Sequence, residues 1–427
     1  MRFEERFMKK ISNLRRVTAS SLAVLLVGGL MATTPAKAAD PITLTMWTRS
    51  VTAVQSQDMV NAYNLANKGK VEIKLTVVPF AEYLAKVSAA AAANNLPDIL
   101  AANVIDGPNY TRSGLWLNID SRIKKLPYRG ELAAGHMASA LYNRRYYAVP
   151  HVVDASSIYY NKVLFEKAGL DPNKPPTSLN EMASMAAKIS ALGDGVNGLY
   201  FPGNCGGCLA FTLFPSIWAQ GQRVLNINGN GSYLGTAKAK AVFNVYNKMW
   251  KAGTMAAGSK NEAGATQNAV FESGKAGFAL LGSKALGTIK ESDKLKIGLV
   301  ALSGPDGGTS TFVGGDTIGI SATSKNADAA WNFLQWTLEE KQQIDIYASK
   351  NFMTSRRDLA NNKFALADPR MVLLNKLLAT GQSPYANRFF QTFNDANGPW
   401  ILFVREAIFG NGVSPQLLAK LNASLAG

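Results

Sequence analysis

The sequence predicts an α/β fold wound on a parallel sheet, and three observations carry that reading. "PITLTMW" (41–47) and "KVEIKLTVVPF" (70–80) alternate apolar and polar residues as strands do, with a helix-like run to about Ala66 between them. "AEYLAKVSAAAAANN" then reads as a helix, and "LPDILAAN" (96–103) as a third strand opened by Pro97. The composition, 47% hydrophobic and 17% charged over 427 residues, is that of a folded chain long enough for two or three domains. Strand, helix, strand, helix, strand is the wound pattern, in which ligands bind beyond the carboxyl ends of the strands.

Taken in order, the chain opens on an export signal. "MKKISNLRR" is basic, "SSLAVLLVGGLMA" is apolar but too short to span a bilayer, and "TTPAKAAD" supplies a small-x-small cleavage site. Residues 1–38 are expected to be a signal peptide, cut after Ala38 or Ala39. After the first three strands, "GLWLNIDSRIKK" leads through a helix to "YAVPHVVDASSIYYN" (147–161). That strand stops at Asn161, which starts a short helix ended by Gly169. Ser178 to Glu181 is a capping box before "MASMAAKISAL". "NGLYF", "AGFALLGS" (276–283) and "LKIGLVAL" (295–302) are further strands, and "FVGGDTIGISAT" (312–323) is a strand region broken by Gly314 and Gly315. Helices are expected from Ala327 to about Tyr347, near 371–379, and after Ser414 and Pro415, which serve as cap and first residue. The chain after the signal holds no internal repeat and no flexible linker.

Charge and motifs exclude several classes. The full chain has 45 Lys and Arg against 29 Asp and Glu. Residues 1–38 take seven and two of these, leaving 38 basic against 27 acidic residues, about +11. The basic residues are scattered in runs of no more than two, which is a solvated surface and not a nucleic-acid stripe. "GDGVNG" (193–198) fits a dinucleotide fingerprint but follows a helix and precedes a strand, the reverse of the required order. Phosphate-loop, H-E-x-x-H and G-x-S-x-G motifs are absent, and two histidines leave little room for a His-based triad or metal site. No metal and no cofactor are expected. Cys205 and Cys208 in "NCGGC" suit a redox pair, half a zinc site or a short disulfide; in an exported chain the disulfide is the expectation.

What remains is a polar and aromatic set at loops after strands: Trp47, Arg49, Asn103, Asp106, His151, Asp154, Trp218, Gly315, Asp316 and Tyr385. Aromatic faces stack on the apolar faces of sugars, while Asp, Asn and Arg pair with ring hydroxyls; a few convergent polar groups are how small ligands are held.

The stretch "YAVPHVVDASSIYYNKVLFEKAGLDPNKPPTSLNEM" resembles the extracellular solute-binding proteins of ABC importers, in their sugar-binding, maltose-binding-protein-like branch. "ITLTMW", "LPDIL", "FESGKAGFALLG", "FVGGDTIGI" and "NADAAWNFLQWTLEEKQQ" resemble it too, in the same order along nearly the whole exported chain. Ser178-Leu179 stands where Thr-Trp is usual. The resemblance implies a two-lobed periplasmic-binding-protein fold of type II with a hinge of crossing strands. Its first lobe would be 39–153 plus 314–380, its second 154–313 plus 381–427. Asp154, Gly314 and Gly315 would lie at the hinge. Trp47, Arg49 and Asn103 to Asp106 would meet Trp218 and Tyr385 across the cleft. It further implies a monomeric periplasmic protein that delivers a sugar or polyol to membrane permease subunits. Two competing classes are an exported carbohydrate-active enzyme using the same cleft, and a binder of another solute such as a polyamine or amino acid.

Overall fold

Period-2 alternation of burial shows in the first two strands, while the central strands are buried on both faces. The computed structural model describes residues 40–378 and 381–427, so the signal-peptide expectation for 1–38 lies outside the described residues. Eleven strands are formed: β1 Ile42–Arg49, β2 Val71–Val78, β3 Ile99–Asn103, β4 Leu141–Tyr142, β5 Arg145–Tyr146, β6 Ala148–Asn161, β7 Asn197–Tyr200, β8 Ala276–Gly282, β9 Ile297–Gly304, β10 Gly307–Ser310 and β11 Val313–Ile320. Nine of them join one sheet, in the order β10-β9-β6-β11-β3-β1-β2, with β8 on β6 and β7 on β8. β4 and β5 pair separately.

β1 runs parallel to β2 and β3, as the wound pattern predicts. β11 is antiparallel to both β3 and β6, so the sheet is mixed. The reason is connectivity: β11 follows the β9–β10 hairpin and comes back toward β3 from the far end of the sheet.

The sheet has two halves, each covered on both faces. In the first, Ile99 and Ala101 of β3 join Leu44, Met46, Ile73, Ile318 and Phe333 on one side. Leu100 and Ala102 join Val78, Tyr83 and Trp116 on the other. In the second, Ile158 and Tyr160 of β6 pack with Phe165, Leu179 and Phe278, while Tyr159 packs with Ala279, Leu281 and Leu299. A strand buried on both faces reads as a continuous apolar run, which is why "SSIYY" shows no clear alternation.

β6 belongs to both halves. Ala148 to Ala155 pair with β11, and Ser156 to Asn161 pair with β8 and β9. It ends at Asn161, whose Oδ1 accepts from the Val163 amide at 3.0 Å and caps the helix Lys162–Lys167. Phe165 of that helix packs on Tyr160, ring centroids 4.7 Å apart, and Gly169 closes it at φ +70°. At Ser178 the expected capping box is shifted by one: Ser178 Oγ accepts from the Glu181 amide, but the Glu181 carboxylate reaches back to Thr177.

The expected long helix from Ala327 to Tyr347 is broken. Ala327–Thr337 is helical, followed by short turns and a π segment, Gln343–Tyr347. Gln343 explains the break: its Nε2 donates to the Thr337 carbonyl and its Oε1 accepts from the Ser355 amide, so a buried side chain holds the chain off the helical path. Helices Lys363–Ala367 and Pro369–Leu378 turn away toward the second half, keeping one tie back, from Asn375 Nδ2 to the Ala360 carbonyl at 2.6 Å. Met371 and Leu374 pack with Ile297 and Leu299 of β9, and Arg370 pairs with Glu291 at 3.1 Å. No helix of the described residues is long and apolar enough to cross a membrane.

Candidate functional site at the seam between the half-sheets

The carboxyl ends of β1 and β3 meet the start of β11 where the two half-sheets join. Arg49, the last residue of β1, is buried and forms an ion pair with Asp316 of β11. Burial alone would lower the guanidinium and raise the carboxylate. Their mutual charge and hydrogen bond reverse both, so Arg49 is held above its ordinary value and Asp316 below the usual carboxylate range. Thr52 donates to the other Asp316 oxygen at 2.6 Å. The pair thus consumes itself, although Arg49 Nε is left without a partner.

Asp106 is the group left free. It follows β3, half-buried, and among the described residues its carboxylate accepts no hydrogen bond. Burial pushes it up to about 6; Arg49 pulls it down and Asp316 pushes it up. Asn103 stands beside it, in register with Asp316 and accepting from the Ile105 amide at 3.4 Å.

Each half also brings an aromatic ring to the seam. Phe80, after β2, lies under the Arg49 guanidinium, 5.5 Å from ring centroid to Cζ. Phe211, from the helix Gly206–Trp218, is half-buried and stands on Gly314, where a Cβ would lie 2.9 Å from its ring. Gly315 needs to be glycine: its φ is +102°, and a Cβ there would run into the Val152 carbonyl.

Arg49, Asn103, Asp106, Gly315 and Asp316 are therefore brought together, and the other expected residues stand apart. Trp47 is half-buried under the Lys86 ammonium, 4.7 Å from its ring. His151 lies beneath the seam, with Nε2 2.9 Å from Ser56 Oγ and Nδ1 3.4 Å from the Tyr347 hydroxyl. Burial pushes both His136 and His151 down to about 4. Trp218 is a layer behind Phe211, packed on Phe312 and Phe214. Asp154, opposite Gly314 in the ladder, accepts from Ser283 Oγ at 2.8 Å and lies 3.7 Å from Lys284 Nζ. Tyr385 bonds Arg112 and Asn387, its ring 5.1 Å from the Arg112 guanidinium.

Sequence reasoning missed Phe80, Phe211, Arg112 and Lys284. Phe80 obeys the same strand-end rule as Arg49 and was findable. Arg112 and Lys284 tie the two halves together: Arg112 to Asn387 at 2.9 Å, Lys284 to the Val51 carbonyl at 2.7 Å. Nothing local marks either one. Cys205 and Cys208 are joined by a disulfide, with Cα atoms 5.2 Å apart. Among the described residues no group of three or more His, Cys, Asp or Glu is placed to hold a metal ion.

A mixed sheet crossed by shared strands, with a polar and aromatic seam between its halves, is the architecture of two-lobed solute-binding proteins. An ABC transporter solute-binding protein from Thermotoga lettingae, solved with α-D-tagatose, superposes with a TM-score of 0.80 at 17% identity, over 90% of this chain and 100% of that one. Residues 58–372 match the model of the bacterial extracellular solute-binding proteins, and the chain belongs to that family. A binding protein of Brucella abortus is 24% identical over 324 residues, 75% of this chain and 77% of that one. The diacetylchitobiose binding protein DasA of Streptomyces coelicolor is 23% identical over 334 residues, 75% of each chain.

Proposed function

We propose that this chain is the periplasmic solute-binding component of an ABC importer, which closes on a carbohydrate between two lobes and presents it to membrane permease subunits. The observation that carries the reading is the unpaired Asp106 carboxylate beside the self-compensated Arg49–Asp316 pair, with Phe80 against Arg49 and Phe211 against Gly314 supplying rings from opposite halves. An ionised carboxylate accepts two ring hydroxyls, and rings on either side cover the apolar faces of a sugar. Family membership supports export and solute capture. The sugars named for the Thermotoga and Streptomyces proteins support a carbohydrate as cargo.

The chain acts as a binder and not as an enzyme on this reading. Ser56 and His151 lie within hydrogen-bond reach of each other, but both are sealed from solvent, at 0% and 1% exposure, and no substrate reaches them. The first lobe comprises 40–153 and 314 to about 362, the second 154–313 and about 363–427. The sequence reading carried the first lobe to 380; the packing of Met371 and Leu374 on β9 favours assigning their helix to the second. Asp154, Gly314 and Gly315 then lie where β6 and β11 cross, and lobe closure shifts an open–closed equilibrium without covalent chemistry.

The test is a thermal-shift screen of the purified exported protein against sugars, polyols, amino acids and polyamines. A ligand of the native state raises Tm by mass action, and a rise of several degrees with a sugar, lost in Asp106→Ala and Phe211→Ala, is expected. A shift given only by an amino acid or a polyamine overturns the carbohydrate reading.

A further inference from the structure

A line of buried side chains runs behind the seam from His151 to Asp316. His151 Nε2 lies 2.9 Å from Ser56 Oγ, and Ser56 Oγ lies 2.8 Å from Thr48 Oγ1. Thr48 Oγ1 is 3.4 Å from Thr52 Oγ1, which is 2.6 Å from Asp316 Oδ2. At the far end the Tyr347 hydroxyl stands 3.4 Å from His151 Nδ1. None of these residues is more than 1% exposed. The chain supplies the hydroxyls at four-residue steps: Thr48 from β1, Thr52 from the turn Ser50–Thr52, and Ser56 from the helix Ala53–Ala66.

Hydrogen counting gives the line a direction. Each hydroxyl has one hydrogen to donate. Asp316 is paired with Arg49 and only accepts, so the Thr52 hydrogen goes to this charge at 2.6 Å and not to the Arg49 carbonyl at 3.3 Å. Thr52 then accepts from Thr48, Thr48 from Ser56, Ser56 from His151 Nε2–H, and His151 Nδ1 from Tyr347. Run this way, five hydrogens fill the five contacts. Run the other way, from Thr48 to His151 and on to Tyr347, the Thr48 and Thr52 oxygens face each other with no hydrogen between them. The Tyr347 hydrogen is then idle, because among the described residues the Thr48, Ser56 and Tyr347 hydroxyls have no other partner. A buried polar hydrogen without an acceptor is costly, so the first direction wins.

We infer that His151 is a positioning residue of the binding seam: with its proton on Nε2 it starts a one-way chain of donors through Ser56, Thr48 and Thr52 that fixes the Asp316 carboxylate, and with it Arg49. The direction of the chain stands on the contacts alone; its bearing on a ligand rests on the carbohydrate reading above. The Asp316 oxygens are held from two sides, by Arg49 and by Thr52, and each donor in the row polarises the next. Asp316 in turn pushes Asp106 up, so its placement reaches the carboxylate that takes the ligand. His151 thus serves the seam from behind, without facing the cleft.

Ring-nitrogen NMR of the free, isotope-labelled protein at pH 7 tests this, since burial pushes both histidines down to about 4 and leaves them neutral there. The chain holds two histidines, and His136 is the reference: its Nε2 lies 3.0 Å from the Val152 carbonyl, which only accepts, so it is Nε2–H throughout. His151 should be Nε2–H as well, and a His151 ring protonated on Nδ1 overturns the chain. Thr48→Val keeps the shape and removes the middle hydroxyl. Ser56 then has only His151 to donate to, so the His151 ring should show both tautomers while His136 is unchanged. A ring that stays wholly Nε2–H overturns the transmission; should Thr48→Val fail to fold, Ser56→Ala carries the same expectation. Titration calorimetry with glucose, galactose, lactose and N-acetylglucosamine reads the site itself. His151→Gln can still donate to Ser56 and His151→Leu cannot, so the leucine variant should bind about threefold or more weakly than the glutamine variant. Equal binding by the two overturns the positioning role. A silent titration with all four sugars is a failure of the carbohydrate reading and not of the chain, which the spectra still decide.

Discussion

Acidification should weaken this protein through its two histidines, with Asp106 opposing them. Both histidines fall from the ordinary 6.5 to about 4 because burial disfavours the imidazolium. The unfolded chain therefore takes up protons first, and the stability gained by keeping the rings neutral is whole above pH 6.5 and lost as pH falls toward 4. Between pH 7 and 5 each ring forfeits about 2 kcal/mol, or about 4 for the two. Asp106 has the opposite sign. Its folded value, about 6, lies above the ordinary 3.8, so the folded state binds the proton first and regains about 1 kcal/mol over the same interval. The expected net loss is about 2–3 kcal/mol. Urea unfolding followed by tryptophan fluorescence at pH 7, 6 and 5 measures it. Asp106→Asn removes the opposing contribution, so the loss in that variant should steepen to about 4 kcal/mol. A stability that is flat or rising from pH 7 to 5, or a slope unchanged in Asp106→Asn, refutes the assignment of these protons.

Three further outcomes follow from the seam. Asp316→Asn leaves the buried Arg49 without its counter-charge and should cost about 3–5 kcal/mol by thermal or urea unfolding. Arg112→Ala removes the contact to Tyr385 and Asn387 without touching the Asp106 group; it should lower ligand affinity by up to about tenfold with Tm of the free protein nearly unchanged. Cys205→Ser with Cys208→Ser opens a loop of only four residues, so the loss should be at most about 2 kcal/mol, and a serine at 205 keeps the helix cap.

Much of the fold was legible because its signals are local. Alternation marked β1 and β2, Pro97 marked the entry to β3, and Asn161 with Gly169 bracketed a helix that the structure forms within a residue or two. The strand-end rule found Arg49, Asp106 and Asp316 as candidates, and the structure does bring them together. The rest depended on distance along the chain. Gln343 breaks a helix by reaching Thr337 and Ser355, and helix Pro369–Leu378 lies on β9 because of Met371 and Leu374, neither of which differs in pattern from residues packed on the first half. Trp47 and Trp218 satisfied every local criterion for a stacking residue, yet one lies under Lys86 and the other behind Phe211.

β6 gives the molecule a mechanical character of its own. One strand of fourteen residues serves as ladder for both halves; its register slips once, at His151, and runs on from Val152 through the crossing at Ala155 and Ser156. Any swing between lobes is therefore a twist or bend distributed along a hydrogen-bonded rod, and not a swivel on slack chain. A rod of this kind stores the swing elastically and limits its range. It also means that severing the chain near 155 would loosen the outermost strand of the first half and a central strand of the second, held between β8 and β9, at once, and leave both open to pairing with other chains. Neither half is a free-standing module, so a library of grafted or truncated lobes would have to carry the whole of 148–161 in each member.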